Sequence, residues 1–146
     1  MKIKIALGAD HAGYEYKDKL ISLLENNGFE CTDCGTNGPE SVDYPVYADK
    51  VCKLVNSGEC MFGILVCGTG IGMSMAANKH KGIRAALCSD TESASLTRHH
   101  NDANVLCLGA RIISFEKASE IANTFLSTDF DGGRHTRRVE MLDSLI

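Results

Sequence analysis

An apolar run that ends in a glycine-rich turn limits the possible folds of this chain more than any other feature. Residues 61–66 read Met-Phe-Gly-Ile-Leu-Val and lead directly into Cys67-Gly68-Thr69-Gly70-Ile71-Gly72. Such a run is typical of a strand that is buried on both faces of a parallel sheet. The glycines predict a tight turn that opens a helix, where backbone N–H groups and the positive end of a helix dipole meet. We therefore expect an anion site at the end of this strand.

Cys67 lies at the mouth of this turn. A thiol beside backbone donors and a helix N-terminus ionises readily, and a thiolate next to an anion site can abstract a proton or attack a carbon. The glycine spacing does not fit a dinucleotide fingerprint, because Met73 occupies its third glycine position, and no Gly-Lys-Ser/Thr follows as in a phosphate loop. A tight turn with an unreactive cysteine is the alternative that the same residues allow.

Strand and helix patterns alternate along the whole chain. Strands are predicted at residues 3–8, 29–34, 61–67, 83–88 and 105–108. The helices between them have apolar residues at helical spacing; the third is predicted to end near His80 and the fourth near His99. A last amphipathic helix carries Val139, Leu142 and Leu145. The alternation predicts one α/β domain over residues 1–146, a three-layer α/β/α sandwich with a Rossmann-like sheet of five parallel strands.

Composition excludes several partners and compartments. The formal net charge of −4 argues against nucleic acid or an anionic membrane as a partner. No apolar run approaches the roughly 18 residues of a membrane helix, and the first apolar stretch is too short for a signal peptide. An odd number of cysteines, 7, then argues for free thiols and a cytoplasmic protein. Cys31 and Cys34 have C-x-x-C spacing, but no second pair follows, so buried structural thiols are favoured over a metal or redox site.

Polar residues collect where the predicted strands end, which is where ligands bind in open α/β sheets. Asp10 and His11 follow the first strand; they could orient a sugar hydroxyl and meet a phosphate, or serve as a helix cap and a solvated histidine. His100 comes near a helix end and could act as a general acid or base near neutral pH. Arg134 and Arg138 are four residues apart and can converge on one dianion, although an ordinary solvated charge run has the same pattern.

Taken together and in order, these segments resemble the ribose-5-phosphate isomerase B family, which also includes galactose-6-phosphate isomerase subunits. The resemblance covers nearly the whole chain, and the ordered set is more specific than any one piece. The matching pieces are Gly8-Ala9-Asp10-His11, Gly35-Thr36, Asp43-Tyr44-Pro45, residues 67–72, Ala76-Ala77-Asn78-Lys79, Gly82-Ile83-Arg84-Ala85, residues 100–105, Gly109-x-Arg111 and Gly132-Gly133-Arg134-His135.

The resemblance implies a reaction and a role for each residue of the site. The family interconverts an aldose phosphate and a ketose phosphate through an enediolate, without a metal or an organic cofactor. Cys67 would be the base that moves a proton between C2 and C1, with Thr69 hydrogen-bonded to it, and His100 would assist opening of the furanose ring. The substrate contacts implied are backbone N–H groups of residues 68–72 for the enediolate (Gly68, Gly70, Ile71, Gly72), Asp10, Tyr44 and Asn101 for sugar hydroxyls, and His11, Arg111, Arg134 and Arg138 for the phosphate.

The resemblance also implies an assembly and a substrate. The family is dimeric, sometimes a dimer of dimers, with each site built from both subunits, so the helix at about residues 134–146 is expected at the dimer interface.

One branch replaces the cysteine by a glutamate just past the glycine loop; here that residue is Met73. Galactose-6-phosphate isomerase subunits typically lack the His-Asn-Asp and Gly-Gly-Arg-His segments, which this chain has. Ribose 5-phosphate is therefore expected; a six-carbon sugar phosphate (allose or galactose 6-phosphate) and a silent sugar-phosphate-binding domain are the alternatives.

Overall fold

The computed structural model describes all residues from 1 to 146 and contains five strands and six helices. In chain order these are β1 Lys4–Ala9, α1 Tyr14–Asn26, β2 Glu30–Asp33, α2 Tyr44–Asn56, β3 Phe62–Cys67, α3 Ile71–Ala77, β4 Ala85–Leu87, α4 Thr91–Asn101, β5 Val105–Gly109, α5 Phe115–Ser127 and α6 Arg134–Asp143. The predicted α/β class with five parallel strands is confirmed. None of the helices has both the length and the apolar character needed to span a bilayer.

The strand order β2-β1-β3-β5-β4 decides where each helix packs. Right-handed connections send a helix to one face when the chain moves toward β2 and to the other face when it moves toward β4. Accordingly, α1, α4 and α5 cover one face, and α2 and α3 cover the other. The sheet is therefore buried between two apolar layers, which is why its central strands have few polar residues.

Strand β3 is buried along its whole length, as its apolar sequence predicted. Ile64 and Val66 face the layer of α1, α4 and α5, whereas Leu65 and Cys67 face α2 and α3, because successive side chains of a strand alternate between faces. The Cys67 side chain therefore belongs to the α2 and α3 side of the sheet.

Two helix ends differ from the predicted positions. Helix α3 ends at Ala77 rather than near His80, because Asn78 exchanges two hydrogen bonds with the backbone of Ala85 and so ties the chain to β4. Helix α4 continues past His99 to Asn101 and then stops at Asp102, which adopts a left-handed conformation.

We expect Phe125→Ala to destabilise the fold by about 3–5 kcal/mol, the usual cost of emptying an aromatic site in a core. The Phe125 side chain is fully buried in α5 and meets Phe62 edge to face, with ring centroids 5.6 Å apart. Ile112→Ala is the control; this side chain is exposed, so its loss should change the free energy of unfolding by about 0.5 kcal/mol or less. Denaturant unfolding of both variants measures the difference, and equal stabilities would contradict the described core.

Candidate functional site

The carboxyl edge of the sheet has a crevice between β1 and β3. The chain leaves β1 toward α1 on one face and leaves β3 toward α3 on the other face, so the two connections diverge and leave room for a ligand. The residues that follow β1 and β3, together with Tyr44 at the start of α2 and Arg111 after β5, form what we call the carboxyl-edge cluster: Asp10, His11, Tyr44, Cys67, Gly68, Thr69, Gly70, Ile71, Gly72 and Arg111.

Backbone geometry directs an N–H group at the Cys67 thiol. The Gly70 N–H donates to Sγ at 3.1 Å, and an N–H in this position stabilises negative charge on sulfur. Gly70 itself is left-handed, with φ +79°, and a Cβ there would come within 2.9 Å of the Leu108 carbonyl carbon. Only glycine allows the loop to turn at this point without strain.

The Thr69 hydroxyl makes no hydrogen bond with the Cys67 thiol in this structure. Its Oγ1 accepts a hydrogen bond from the Ile71 N–H at 3.2 Å, and the partner of the sulfur is the Gly70 N–H. The side chain of Thr69 therefore shapes the first turn of α3.

The residues that follow β5 hold the glycine loop in place through backbone hydrogen bonds. The Ala110 N–H donates to the Cys67 carbonyl, and the Arg111 N–H donates to the Gly68 carbonyl, both at 2.9 Å. Gly109 lets Thr69 approach closely, since a Cβ at residue 109 would lie 2.5 Å from the Thr69 carbonyl oxygen. The Arg111 guanidinium lies beside Gly68, where an added Cβ would be 3.3 Å from Nη1. The loop thus carries a cation next to its backbone donors.

Asp10 and His11 are both oriented by backbone N–H groups. Asp10 Oδ1 accepts from the Ala12 and Gly13 N–H groups at 2.9 and 3.2 Å, which leaves Oδ2 as the oxygen for another donor. His11 Nδ1 accepts from the Val42 N–H at 3.2 Å. A neutral imidazole that accepts through Nδ1 carries its proton on Nε2, so His11 presents a donor to the crevice.

Tyr44 packs against Gly72 at the end of the glycine loop. A Cβ on Gly72 would lie 2.7 Å from the Tyr44 Cζ, so the glycine makes room for the phenol ring. Tyr44 is the first residue of α2 and is 38% exposed. Its hydroxyl is therefore available at the rim of the crevice.

The other cysteines are held as neutral thiols. Burial raises the pKa of Cys31 and Cys34 to about 11 and the pKa of Cys52 to about 12, and it raises the pKa of Cys107 well above its usual value. All seven cysteines are free, so Cys31 and Cys34 form no disulfide. Because a neutral thiol is a poor base and a poor nucleophile, these side chains act as packing groups.

A second group of predicted site residues lies at the end of α4 and the start of α6. We call it the amino-edge cluster: His100, Asn101, Arg134, His135 and Arg138. The His100 and His135 rings stack with centroids 4.5 Å apart, and both residues, with Asn101 and Arg138, line one open pocket of about 510 Å³. His99 lies beside this cluster and pairs with Asp131, its Nδ1 2.7 Å from Oδ1.

The two clusters lie at opposite edges of the sheet. Helix α4 starts at the carboxyl end of β4 and runs back, so His100 is near the starts of the strands, where the Asn104 carbonyl accepts from the Gly63 N–H at 2.9 Å. Cys67 is four residues farther along β3, a distance of about 13 Å along a strand. One chain therefore does not bring Cys67 and His100 together.

The charge of the amino-edge cluster favours an anion over a metal cation. One His100 nitrogen, one His135 nitrogen and one Asp131 oxygen lie within 4.8 Å of one another. However, stacked rings direct their lone pairs side by side rather than at one ion. The pKa of His135 is lowered, mainly by desolvation and then by the charges of His100, Arg134 and Arg138, which outweigh the opposing charge of Asp131. Two arginines beside one carboxylate give this cluster an excess of positive charge.

His135 is the member of this cluster to which the sequence assigned no role. His135 belongs to the Gly-Gly-Arg-His segment that carries part of the resemblance, and this segment is the sequence feature that could have indicated a role for it. Its contact with His100 depends on α6 packing against α4, which no local sequence pattern specifies.

Comparison with known proteins identifies relatives over the whole length of the chain. The family model described as Ribose/Galactose Isomerase matches residues 5–142. A protein of Escherichia coli K12 named ribose-5-phosphate isomerase B is 46% identical, over 97% of this chain and 95% of its own length. A Bacillus subtilis protein named putative sugar phosphate isomerase YwlF is 49% identical, over 94% of this chain and 93% of its own.

Solved structures agree with these relatives. The Clostridium thermocellum ribose-5-phosphate isomerase B structure superposes with a TM-score of 0.97 at 48% identity, covering 98% of this chain and 97% of that one. The Trypanosoma brucei type B ribose 5-phosphate isomerase structure gives a TM-score of 0.96 at 46% identity, with all of both chains covered.

We expect Gly109→Ala to disturb the glycine loop, because the new Cβ would collide with the backbone of Thr69. Overpacking of this kind typically costs about 1–3 kcal/mol. Gly38→Ala is the matched control, since a Cβ at residue 38 meets nothing within 4 Å and should be tolerated. The free energies of unfolding of the two variants are the measurement, and a Gly109→Ala protein as stable as Gly38→Ala would show that the close approach is not required.

Proposed function

Since the chain belongs to the Ribose/Galactose Isomerase family, we propose that it interconverts D-ribose 5-phosphate and D-ribulose 5-phosphate through an enediolate, with Cys67 as the base. The observation that carries the proposal is the Cys67 thiol, which lies at the crevice with the Gly70 N–H directed at its sulfur. The seven free thiols suit a reducing compartment, so we also propose a cytoplasmic enzyme of pentose phosphate metabolism.

The reaction needs a base and an anion site together. The C2 proton of the open-chain aldose is a weak acid, so the charge that develops on the carbonyl oxygen must be stabilised while the proton leaves. The Cys67 thiolate takes the proton from C2 and returns it to C1, while the hydroxyl proton of O2 passes to O1, so that the carbonyl group moves from C1 to C2. The Gly70 and Ile71 N–H groups already bond to Cys67 and Thr69 inside the loop, so we assign the enediolate to the other N–H groups of residues 68–72.

The polar side chains of both clusters hold the two ends of the sugar phosphate. In this proposal Asp10, through Oδ2, and Tyr44 bind sugar hydroxyls, and His11 donates its Nε2–H to the phosphate. Arg111 adds a positive charge at the loop. From the amino-edge cluster, His100 assists ring opening, Asn101 binds a hydroxyl, and Arg134 and Arg138 bind the phosphate. Binding energy at the phosphate positions the reacting carbons over the sulfur.

A complete site then requires two copies of the chain, because one chain holds the two clusters at opposite edges of the sheet. We propose a homodimer, alone or paired into a dimer of dimers, in which the amino-edge cluster of one subunit meets the carboxyl-edge cluster of its partner. An apolar surface supports this assembly. Met75, Leu142 and Leu145 line a groove of about 610 Å³, and their exposed fractions are 64%, 46% and 77%. Such side chains are usually covered in an assembly.

We expect Cys67→Ala to reduce the rate of ribulose 5-phosphate formation by about 10²- to 10⁴-fold, the usual contribution of a positioned base. The variant should remain folded, because alanine fits where a small thiol packed. Cys31→Ala is the matched control, since its neutral thiol lies outside the site and its loss should leave the rate unchanged. The assay uses metal-free protein with ribose 5-phosphate.

Three other results would redirect the proposal. Normal turnover in Cys67→Ala would remove the thiolate from the mechanism. Turnover of allose 6-phosphate or galactose 6-phosphate in place of ribose 5-phosphate would assign a six-carbon substrate. Tight binding of ribose 5-phosphate with no isomerisation by the wild type would indicate a silent binding domain.

The shared site predicts complementation between two inactive variants. When Cys67→Ala and His100→Asn subunits are combined in equal amounts and allowed to exchange, about half of the dimers contain one subunit of each kind. In such a heterodimer, one of the two sites combines Cys67 from one subunit with His100 from the other and is intact. About one quarter of wild-type activity should therefore return. The measurement is the rate of the mixture against the rates of the separate variants.

A second mixture provides the control for this experiment. Cys67 and Arg111 belong to the same cluster, so mixing Cys67→Ala with Arg111→Gln should restore no activity beyond that of the separate variants. Equal recovery in both mixtures, or recovery in neither, would contradict a site built from two subunits.

A further inference from the structure

Helix α4 ends in an unusual backbone conformation directly after two of the proposed site residues. Asp102 follows His100 and Asn101 and has φ 49° and ψ 43°, and it is the one non-glycine residue of the chain with a positive φ. Aspartate tolerates this left-handed region better than most residues, but the conformation persists only where the surroundings hold it.

Two arginines hold Asp102 in place. Arg98 Nη1 donates to Oδ1 at 2.8 Å, and Arg84 Nη2 lies 3.6 Å from Oδ2. Arg84 Nε also donates to the Asp102 carbonyl oxygen at 2.9 Å. Both the side chain and the backbone of Asp102 are therefore fixed by cations.

The first of these arginines is anchored in the core. Arg98 is almost fully buried, and its guanidinium carbon Cζ lies 5.0 Å from the ring centroid of Phe62 and 5.7 Å from that of Phe125. It also donates to the carbonyl oxygens of Ala103 and Thr128 at 2.7 and 3.1 Å. A planar cation with all of these partners has little freedom to move.

The second arginine connects α4 to the last turn of α6. Arg84 Nη1 donates to both carboxylate oxygens of Asp143 at 3.0 Å. Its own backbone N–H is held by Asn104 Oδ1 at 2.8 Å. The ends of both helices that carry the amino-edge cluster are therefore tied to one group of charges around Asp102.

We propose that Asp102 is a positioning residue that sets the direction in which the His100 side chain leaves the helix end. It contacts no substrate in this proposal and acts through His100. The inference rests on the proposed function, because His100 needs a defined direction only if it must reach the crevice of a partner subunit.

A double-mutant cycle on kcat/KM for ribose 5-phosphate tests this inference. Asp102→Asn keeps the shape and the tolerance for positive φ but removes the charge that binds Arg98 and Arg84. We expect it to lower kcat/KM on the order of 10- to 100-fold, as misplacement of a reacting group by about 1 Å does. In the His100→Asn background the same change should have little further effect, within about threefold, because the group that Asp102 positions is already absent.

Two more variants separate positioning from stability. Arg84→Gln removes one of the two cations that hold Asp102, and residue 84 is partly exposed, so this variant should fold even if Asp102→Asn folds poorly. Its loss of kcat/KM should likewise disappear in the His100→Asn background. Ser114→Ala removes the N-cap of α5, whose Oγ accepts from the Lys117 N–H, and it should lower the stability while leaving kcat/KM unchanged.

The outcomes are distinct. Losses from Asp102→Asn or Arg84→Gln that multiply with the loss from His100→Asn would overturn the positioning role and indicate a structural one. Wild-type kcat/KM in Asp102→Asn would overturn it as well. Wild-type activity in His100→Asn would overturn the inference together with the proposed role of His100. If His100→Asn loses activity and the losses of kcat/KM from Asp102→Asn and His100→Asn are independent, only the positioning role is overturned and the proposed function stands.

Discussion

The direction of helix α4 relative to the parallel strands is the constraint on which the rest of the site depends. A helix that follows a strand in this fold must return to the opposite edge, so residues at its start and at its end cannot serve the same crevice. His100 and Asn101 lie at the end of α4, and Cys67 lies at the end of β3. The split into two clusters is thus a consequence of topology, and it makes a second copy of the chain part of the proposed catalytic unit.

Within the carboxyl-edge cluster, glycines allow backbone N–H groups to act as the hydrogen-bond donors to a developing negative charge. The left-handed Gly70 turns its N–H toward the Cys67 sulfur, and Gly109 lets the Thr69 backbone approach β5. Backbone donors are already fixed by the fold, so they need not reorganise when negative charge forms. Burial raises the pKa of the cysteines away from this loop, and at Cys60 and Cys88 it outweighs the hydrogen bonds from Thr32 and Ser93.

Local patterns predicted the class of fold and most of the elements, and they missed side-chain contacts with the backbone of neighbouring segments. The buried strand β3 was predicted correctly from its apolar run. Helix α3 stops early because Asn78 binds the backbone of Ala85, seven residues away. The hydrogen bond from Thr69 to Cys67 that the resemblance implied is not made in the single chain, where the Thr69 hydroxyl oxygen accepts from the Ile71 N–H and the Cys67 sulfur accepts from the Gly70 N–H. Each of these contacts depends on three-dimensional placement that spacing alone does not encode.

The sequence by itself determined the alternation of strands and helices, the glycine loop after β3 and the set of residue types available for chemistry, because periodicity and turn propensities are local. The tertiary structure alone decided the strand order, the face that Cys67 occupies and the contact of His135 with His100. It also decided that Arg98 and Arg84 meet at Asp102. Those outcomes depend on which surfaces pack together, and packing is settled only when the helices cover both faces of the sheet.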